Sequence, residues 1–252
     1  MPSAVAEGFF VRITIYLILR KYQNEMELKH HPDRKNFQVD RLIFFTDALF
    51  AIAITLLVLE IHIPMVPAGA SEGEFVNAML ELLPKFAGFL VSFFIIGLYW
   101  FVHHSLFGFV VNYTPKLFWL NLIFLLSIVL MPFSTSVYSS YSTPEHIYLV
   151  LPFAIYAANI SFTGIMNYVL LNYIFKPENG VAEHIPSKDQ ILFSKRRALA
   201  IPAIFSISVL LTIFLPGIGR MFLFVIPFAM KFLRPKGNLN KSDEEKDTSK
   251  SD

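Results

Sequence analysis

Residues 41–61 read RLIFFTDALFAIAITLLVLEI, a run long and apolar enough to cross the hydrocarbon core of a bilayer. The run nevertheless opens with Arg41 and carries Asp47 about one and a half turns further along. A charged side chain inside a membrane costs several kcal/mol unless it finds a partner or water. Because residues six apart do not lie side by side on a helix, we expect both side chains to seek partners on other helices or on a neighbouring subunit.

The composition of the whole chain is typical of a polytopic membrane protein. Of its 252 residues, 55% are hydrophobic, 27 are Phe and only 16% are charged, whereas an average soluble domain has about 25% charged residues. The chain contains no cysteine, which excludes disulfide bonds, thiolate nucleophiles and Cys-ligated metal sites. We therefore predict an all-α fold built from transmembrane helices.

Six apolar stretches of about the length of a membrane span follow one another along the chain. We predict spans at about 42–62, 82–104, 117–138, 146–174, 194–215 and 217–234. Pro202, Pro216 and Pro227 indicate kinks or breaks in the last two. No Thr-Val-Gly-Tyr-Gly sequence is present, which excludes the pore loop of an ordinary potassium channel.

Lys and Arg are concentrated in alternate loops of this topology. There are seven up to Arg41, five in residues 175–197 and six from Lys231 onward, but none in residues 63–81 or 139–145. The loop at 105–116 is weaker support, because it carries only Lys116. By the positive-inside rule we predict a multi-pass protein of the cell membrane with both termini in the cytoplasm.

The two ends of the chain differ from the membrane part. The run GFFVRITIYLILR at 8–20 is too short to span, and it is either an interfacial amphipathic helix or a segment without a role. The polar tail KGNLNKSDEEKDTSKSD lacks aromatic residues, which is typical of disorder. We predict an N-terminal cytoplasmic segment at 1–40, a six-helix membrane domain at 41–235 and a disordered cytoplasmic tail at 236–252.

One face of the first predicted helix is a narrow apolar stripe. Ile52, Leu56 and Leu59 recur at helical spacings of four and three, and Thr55 lies beside them. From the pattern alone, this stripe is a helix-packing face or the lining of a pathway. Asp47 points in nearly the opposite direction, which favours a hydrogen-bonding brace inside the bundle.

Polar residues in the second and third spans need partners within the bundle. Trp100 and His103 lie one turn apart, and Asn121 lies in the third span; such residues usually join helices. His103 and His104 face different directions and no carboxylate stands at ligand spacing, so we expect no metal site. No catalytic constellation, phosphate loop or dinucleotide fingerprint appears, and we expect no enzyme activity, no cofactor and no nucleic-acid partner.

The segment RLIFFTD at 41–47 resembles the R-x-x-x-F-S-D signature of the TMEM175 family of cation channels, with Thr46 in place of Ser and the hydroxyl kept. Trp100 with His103, and the run from Asn121 to Pro132, also match the pattern of that family. The resemblance covers about 41–235, nearly all of the membrane part.

This resemblance implies a channel without a pore loop, in which the first helix lines the pore. The chain has one six-span repeat and is therefore similar to the prokaryotic members, which assemble as tetramers. A homotetramer in the lipid bilayer would conduct K⁺ ions. Ile52, Leu56 and Leu59 would form its hydrophobic constriction. Thr55 would belong to the layer linked to a moderate preference for K⁺ over Na⁺.

The resemblance also implies a polar brace that holds the pore helix against its neighbours and does not coordinate ions. Its members would be Arg41, Phe45, Thr46, Asp47, Trp100, His103 and Asn121. Glu60 lies at the predicted outer end of the first helix. It either enriches cations at the pore mouth or is a solvated helix-end carboxylate.

Two alternatives to a potassium-permeable channel stay open. The first is a proton-conducting channel that uses the same pore, with Glu60 and His62 helping protons to enter. The second is a non-conducting membrane scaffold or lipid-handling protein, in which the stripe is only a packing face. No span has regularly spaced arginines, so we expect no voltage sensor.

Overall fold

The computed structural model describes residues 34–143 and 145–226, and the structural statements below refer to these residues. The predictions for the run at 8–20 and for the tail at 236–252 lie outside them. Within the described part, every regular element is a helix, and the backbone pairs across elements in one isolated antiparallel bridge between Val110 and Ala182. The predicted all-α fold class is confirmed.

The longer elements are eight helices, numbered here in chain order. They are α1 (Arg34–Leu59), α2 (Glu72–Leu80), α3 (Leu83–Phe107), α4 (Pro115–Val129), α5 (Met131–Ser140), α6 (Val150–Ile174), α7 (Lys188–Phe214) and α8 (Pro216–Met221). Two 3₁₀ turns accompany them, at Pro177–Asn179 and Phe222–Val225.

Five stretches of the described residues are long and apolar enough to cross a membrane. They are Phe37–Leu59, Glu72–Phe107, Pro115–Ser140, Val150–Ile174 and Lys188–Phe214, and they correspond to the first five predicted spans. Of the sixth predicted span, at 217–234, the described part ends at 226 and forms most of α8 and a 3₁₀ turn. The remainder lies outside the described residues, so the sixth span stays a prediction.

Two helix boundaries differ from the predicted ones. α1 begins at Arg34, before the predicted start of the first span near residue 42, so the helix continues across the expected segment boundary at 40. The third span is broken, because α4 ends at Val129 and α5 begins at Met131. Pro132, in the first turn of α5, explains the break: it has no N–H, and its ring clashes with the carbonyl one turn earlier in a continuous helix.

α6 lies at the centre of the bundle, where it packs against α7, α4 and α5. Phe153 and Ile160 are fully buried there. Gly164 permits the close approach of α7, since a Cβ at this position would lie only 2.6 Å from Cγ of Pro202. α1 packs against α3, α4 and α5 and is more peripheral.

The loop between α3 and α4 is hydrogen-bonded to the loop between α6 and α7. The Val111 N–H donates to the Val181 carbonyl at 3.0 Å, and the Glu183 N–H donates to the Phe109 carbonyl at 3.1 Å. The two loops therefore lie at the same end of the bundle. This agrees with the alternating topology, although the first of them has few basic residues.

Candidate functional site

α1 has one face inside the subunit and one face outside it. The interior face consists of Leu42, Thr46, Phe50, Ala53 and Leu57, which are all buried. The opposite side is exposed over an arc of roughly 160° around the helix axis. A single subunit therefore leaves about half of its first helix uncovered.

The predicted stripe lies on this exposed side. Ile52, Leu56 and Leu59 are 52%, 38% and 69% exposed. Phe44 and Val58, toward the other edge of the same side, are 70% and 51% exposed. The edge with Ile52 and the edge with Val58 are thus similarly exposed. Substitutions on these two edges can therefore be compared as a matched pair.

Thr55 is exposed beside the stripe, and its hydroxyl has a defined orientation. The hydroxyl donates to the Ile52 carbonyl at 2.8 Å, within the same helix. Since its only hydrogen is used there, the oxygen keeps its lone pairs as acceptors. Such a group can contact a cation.

A chain of hydrogen bonds joins three helices on the interior side of α1. Asn121 Nδ2 donates to Thr46 Oγ1 at 2.8 Å, and the Thr46 hydroxyl donates to the Leu42 carbonyl at 2.8 Å. His103 Nε2 lies 2.7 Å from Asn121 Oδ1. Because this oxygen is an acceptor, the geometry assigns the proton to Nε2 of His103. The sequence pointed to each of these residues, and the structure brings them together between α1, α3 and α4.

The His103 ring is also held by aromatic neighbours. Its centroid lies 4.1 Å from that of Phe107 and 5.2 Å from that of Phe124, and both pairs are stacked. Thr46, His103 and Asn121 are buried. This polar chain is thus enclosed by apolar groups, where an unmade hydrogen bond has no water to replace it.

Asp47 has the interhelical partner that its position in a membrane helix requires. The Trp100 indole Nε1 donates to Asp47 Oδ1 at 2.9 Å. The Trp100 ring also stacks on His104, with centroids 5.4 Å apart. This contact is a second link between α1 and α3, separate from the chain through Asn121.

Arg41 and Phe45 do not join these links in the single subunit. Arg41 is exposed, and its guanidinium lies 5.6 Å from the centroid of Phe37 on its own helix. Among the described residues it makes no hydrogen bond or ion pair with Asp47. Phe45 is 45% exposed on the uncovered side of α1. Their part in a brace stays a prediction for the assembled protein.

Glu60 and His62 follow the end of α1. His62 Nδ1 lies 3.0 Å from the backbone carbonyl of Glu60, so the contact does not involve the carboxylate. The Glu60 side chain is half-buried and makes no ion pair within residues 34–143 and 145–226. The structure thus leaves a negative charge at this end of the exposed helix.

The described residues contain no group of three or more His, Asp or Glu side chains that could hold a metal ion. His103 is buried toward Asn121, and His104 lies outside on Trp100. The two rings diverge as the sequence predicted.

Arg220 makes several contacts with distant segments that were not predicted from the sequence. Its Nη2 donates to the carbonyls of Ile147 and Leu149, at 2.9 and 3.1 Å, just before α6 begins. Its guanidinium also lies 5.8 Å from the centroid of Tyr138. The available signal was a lone arginine in the apolar stretch GIGRMFLF at 217–224.

The segment that contains the hydrogen-bonded residues of α1, α3 and α4 is similar to known proteins. Residues 41–132 match the family model described as endosomal/lysosomal potassium channel TMEM175. A protein from Streptomyces collinus named a potassium channel is 37% identical over 101 residues, which are 40% of this chain and 48% of that protein. A protein from Chamaesiphon minutus, also named a potassium channel, is 32% identical over 158 residues, which are 63% of this chain and 71% of that protein.

An animal protein and a solved structure are also similar. The Gallus gallus protein named endosomal/lysosomal proton channel TMEM175 is 37% identical over 112 residues, which are 42% of this chain and 22% of that protein. The crystal structure of a lysosomal potassium-selective channel TMEM175 homolog from Chamaesiphon minutus superposes with a TM-score of 0.63 at 24% identity, covering 77% of this chain and 97% of that chain. At that identity the superposition shows a shared fold.

Proposed function

Because this chain belongs to the TMEM175 family of ion channels, we propose that it is a potassium-permeable cation channel with a moderate preference for K⁺ over Na⁺. The bacterial relatives named potassium channels support this choice of ion. The chain is a multi-pass membrane protein. The prediction that it is not an enzyme is confirmed by its membership of a channel family.

The exposed face of α1 is the observation that carries the proposed pore. Ile52, Leu56 and Leu59 are apolar and uncovered in the single subunit, so in a membrane they contact lipid or another copy of the chain. In the proposed homotetramer, four copies of this face surround the axis. This arrangement needs no pore loop, in keeping with the absence of a filter sequence.

The same face has the chemistry of a gate with modest selectivity. A ring of aliphatic side chains at Ile52, Leu56 and Leu59 narrows the pathway and can close it by dewetting. A partly dehydrated cation then needs oxygen atoms nearby. The lone pairs of the exposed Thr55 hydroxyl supply them, about one turn from the ring at Ile52. Since Na⁺ loses more hydration free energy than K⁺, this layer favours K⁺.

The location follows from the charge pattern. We place the chain in the cell membrane with both termini cytoplasmic, which puts Glu60 at the outer end of α1. There its half-buried and unpaired carboxylate attracts cations toward the mouth. If Glu60 were only a solvated helix-end carboxylate, replacing it by a neutral residue would leave the conductance unchanged.

The hydrogen-bonded groups on the interior side of α1 have an architectural role in this proposal. The link from Trp100 to Asp47 and the chain through Asn121 fix the rotation of α1 about its axis. That rotation decides which residues face the pore. These groups lie away from the Ile52 edge, so they do not coordinate the permeating ion.

Ion flux through purified protein in liposomes tests the proposal. Wild type is expected to pass K⁺ faster than Na⁺, and Ile52→Asn is expected to increase the flux because it wets the constriction. Val58→Asn is the matched control: it makes the same chemical change on the same exposed side of α1, but away from the stripe, and is expected to leave the flux unchanged. Equal effects of the two substitutions would overturn the assignment of the pore face.

A proton-conducting channel is the second candidate, favoured by the animal relatives that are named proton channels. Glu60 and His62 at one end of α1 then assist proton uptake. The same liposomes distinguish the candidates, because a reversal potential that follows the pH gradient indicates H⁺ and one that follows the K⁺ gradient indicates K⁺. Folded, oligomeric protein that passes neither K⁺, Na⁺ nor H⁺ at any pH or potential would be a scaffold, and the stripe would be a packing face.

A further inference from the structure

A cavity of about 510 Å³ lies between α3, α6 and α7, apart from the face of α1. Its volume falls within the roughly 300–1,000 Å³ that is usual for ligand sites. The walls are mostly apolar, with Leu98, Leu171 and Ile201 contributed by the three helices in turn. A smaller group of polar residues lines the same space: Tyr99, Ser105, Asn167, Gln190, Ser194 and Arg197.

Arg197 is the one charged residue in the lining. It is half-buried, and among the described residues its guanidinium makes no hydrogen bond, ion pair or ring contact. A guanidinium that is partly withdrawn from water beside apolar walls is costly without an anion. The neighbouring Arg196 is exposed and does not line the cavity. The environment of Arg197 therefore calls for a negatively charged occupant.

Tyr99 and Asn167 line the cavity, and each also carries a buried polar atom that has no partner in the described part of the chain. Tyr99 and Asn167 are each 4% exposed, and within the described residues neither Tyr99 Oη nor Asn167 Oδ1 has a hydrogen-bond partner. Native proteins leave few such atoms unsatisfied. At 1.5 Å per residue, Tyr99, Asn167 and Arg197 lie roughly 10–14 Å from the ends of their helices on the same side of the bundle, so they form one polar level.

The surroundings favour a ligand that arrives through the lipid. Leu98 and Phe101, which line the cavity, are 40% and 61% exposed on a helix that is apolar enough to span a membrane. The nearby start of α7 is basic, with Lys188, Lys195 and Arg196. Basic pockets between transmembrane helices on the cytoplasmic side are suited to anionic lipid headgroups.

We propose that this cavity binds one anionic phospholipid from the leaflet next to the basic loop at 175–197. Arg197 pairs with the phosphate, and the polar part of the lining lies beside the region between headgroup and acyl chains. One acyl chain lies along the apolar wall formed by Leu98 and Leu171. The proposal does not depend on conduction, because α1 takes no part in the site.

Lipid retention by the purified full-length protein, followed by native mass spectrometry, tests this proposal. The probes are phosphatidylglycerol and phosphatidylcholine with identical acyl chains. Wild type is expected to retain phosphatidylglycerol in preference. Arg197→Gln is expected to weaken this retention roughly tenfold, the usual scale for losing a charge-assisted contact. Arg196→Gln, the adjacent control, is expected to change it less than about twofold.

A second variant keeps the test decisive if Arg197→Gln is poorly folded. Ser194→Trp fills the cavity and is expected to reduce the retention of both lipids, while Arg197→Lys keeps the charge and is expected to retain most of the preference. Equal losses in Arg196→Gln and Arg197→Gln would indicate a diffuse basic surface. Equal binding of the two lipids by wild type, or retention of a free fatty acid in place of phospholipid, would also overturn the proposal. Ion flux is not a readout, so failure here leaves the proposed pore untouched.

Discussion

The Trp100 indole donates a 2.9 Å hydrogen bond to the Asp47 carboxylate, and this contact joins α3 to the first helix. The two residues are 53 positions apart in sequence. Asp47 lies at the border between the buried and exposed sides of α1, so its partner helps to set the rotation of that helix.

We expect Asp47→Ala to abolish the proposed tetramer, because α1 loses the contact that orients its exposed face. The loss of one hydrogen bond to a charged group corresponds to about 1.5–3 kcal/mol. Asp47→Asn keeps an acceptor for Trp100 and is expected to assemble. Light scattering coupled to size exclusion reports the oligomeric state. A stable Asp47→Ala tetramer with wild-type conduction would show that Asp47 is not needed to hold α1 against α3.

The chain through Asn121 is expected to act as a unit. Asn121→Leu leaves the buried Nε2–H of His103 without an acceptor, and it removes the donor to Thr46, whose hydroxyl keeps its bond to the Leu42 carbonyl. We expect this change to destabilise the protein by about 1–2 kcal/mol. Combined with Thr46→Val, the loss is expected to be smaller than the sum of the two single losses by at least about 0.5 kcal/mol.

Ser92→Ala is the control for this double-mutant cycle. Ser92 is buried on the same helix as His103 but belongs to another polar group, with Thr135 and Tyr156. Its effect is expected to add to that of Asn121→Leu. Thermal unfolding in detergent gives all the free-energy differences, and additivity in the Thr46 cycle would mean that the Asn121 contact is not energetically coupled.

Thr55→Val is expected to reduce the preference for K⁺ over Na⁺ by about fivefold or less, which corresponds to about 1 kcal/mol of lost ion–oxygen contact. Thr55→Ser keeps the oxygen and is expected to retain the preference. Because Thr55 is exposed and bonds only within its own helix, neither change should alter stability. Bi-ionic reversal potentials measure the ratio, and an unchanged ratio in Thr55→Val would remove Thr55 from the selectivity layer.

Gly164→Ala is expected to destabilise the packing of α6 on α7 by about 1–3 kcal/mol. Its Cβ would lie 2.6 and 2.7 Å from the ring carbons of Pro202, and neither a helix backbone nor a proline ring moves easily. Gly97→Ala is the control, since no atom lies within 4 Å of a Cβ at that position. It is expected to be neutral or slightly stabilising because alanine favours helices. Equal melting temperatures of the two variants would contradict the close approach.

Much of this architecture can be predicted from the local pattern of apolar and charged residues. Hydropathy places the first five spans, and the Asp47 carboxylate inside an apolar run predicts a partner on another helix or on a neighbouring subunit. The family resemblance gave Trp100 and Asn121 as members of a polar brace, but the pairing of Trp100 with Asp47 came only from the structure, since nothing in the spacing pairs residues on different helices.

Other features depend on contacts between distant segments, which a local sequence pattern does not predict. The break at Pro132 differs from these features, because its cause is local: the missing N–H and the ring of that proline. The contacts of Arg220 with carbonyls before α6, and the cavity around Arg197, arise only when helices far apart in sequence meet. A lone arginine in an apolar run was the only sign of the first, and the basic cluster at 195–197 the only sign of the second.

The uncovered half of α1 has a thermodynamic consequence for isolated protein. Lipid chains solvate apolar side chains about as well as another helix does, so hydrophobicity gives little drive for subunits to associate within a bilayer. In the proposed tetramer, folding around α6 and association through α1 are therefore separable equilibria, and only the second depends on concentration. We expect dilution or heating to dissociate such an assembly before its subunits unfold.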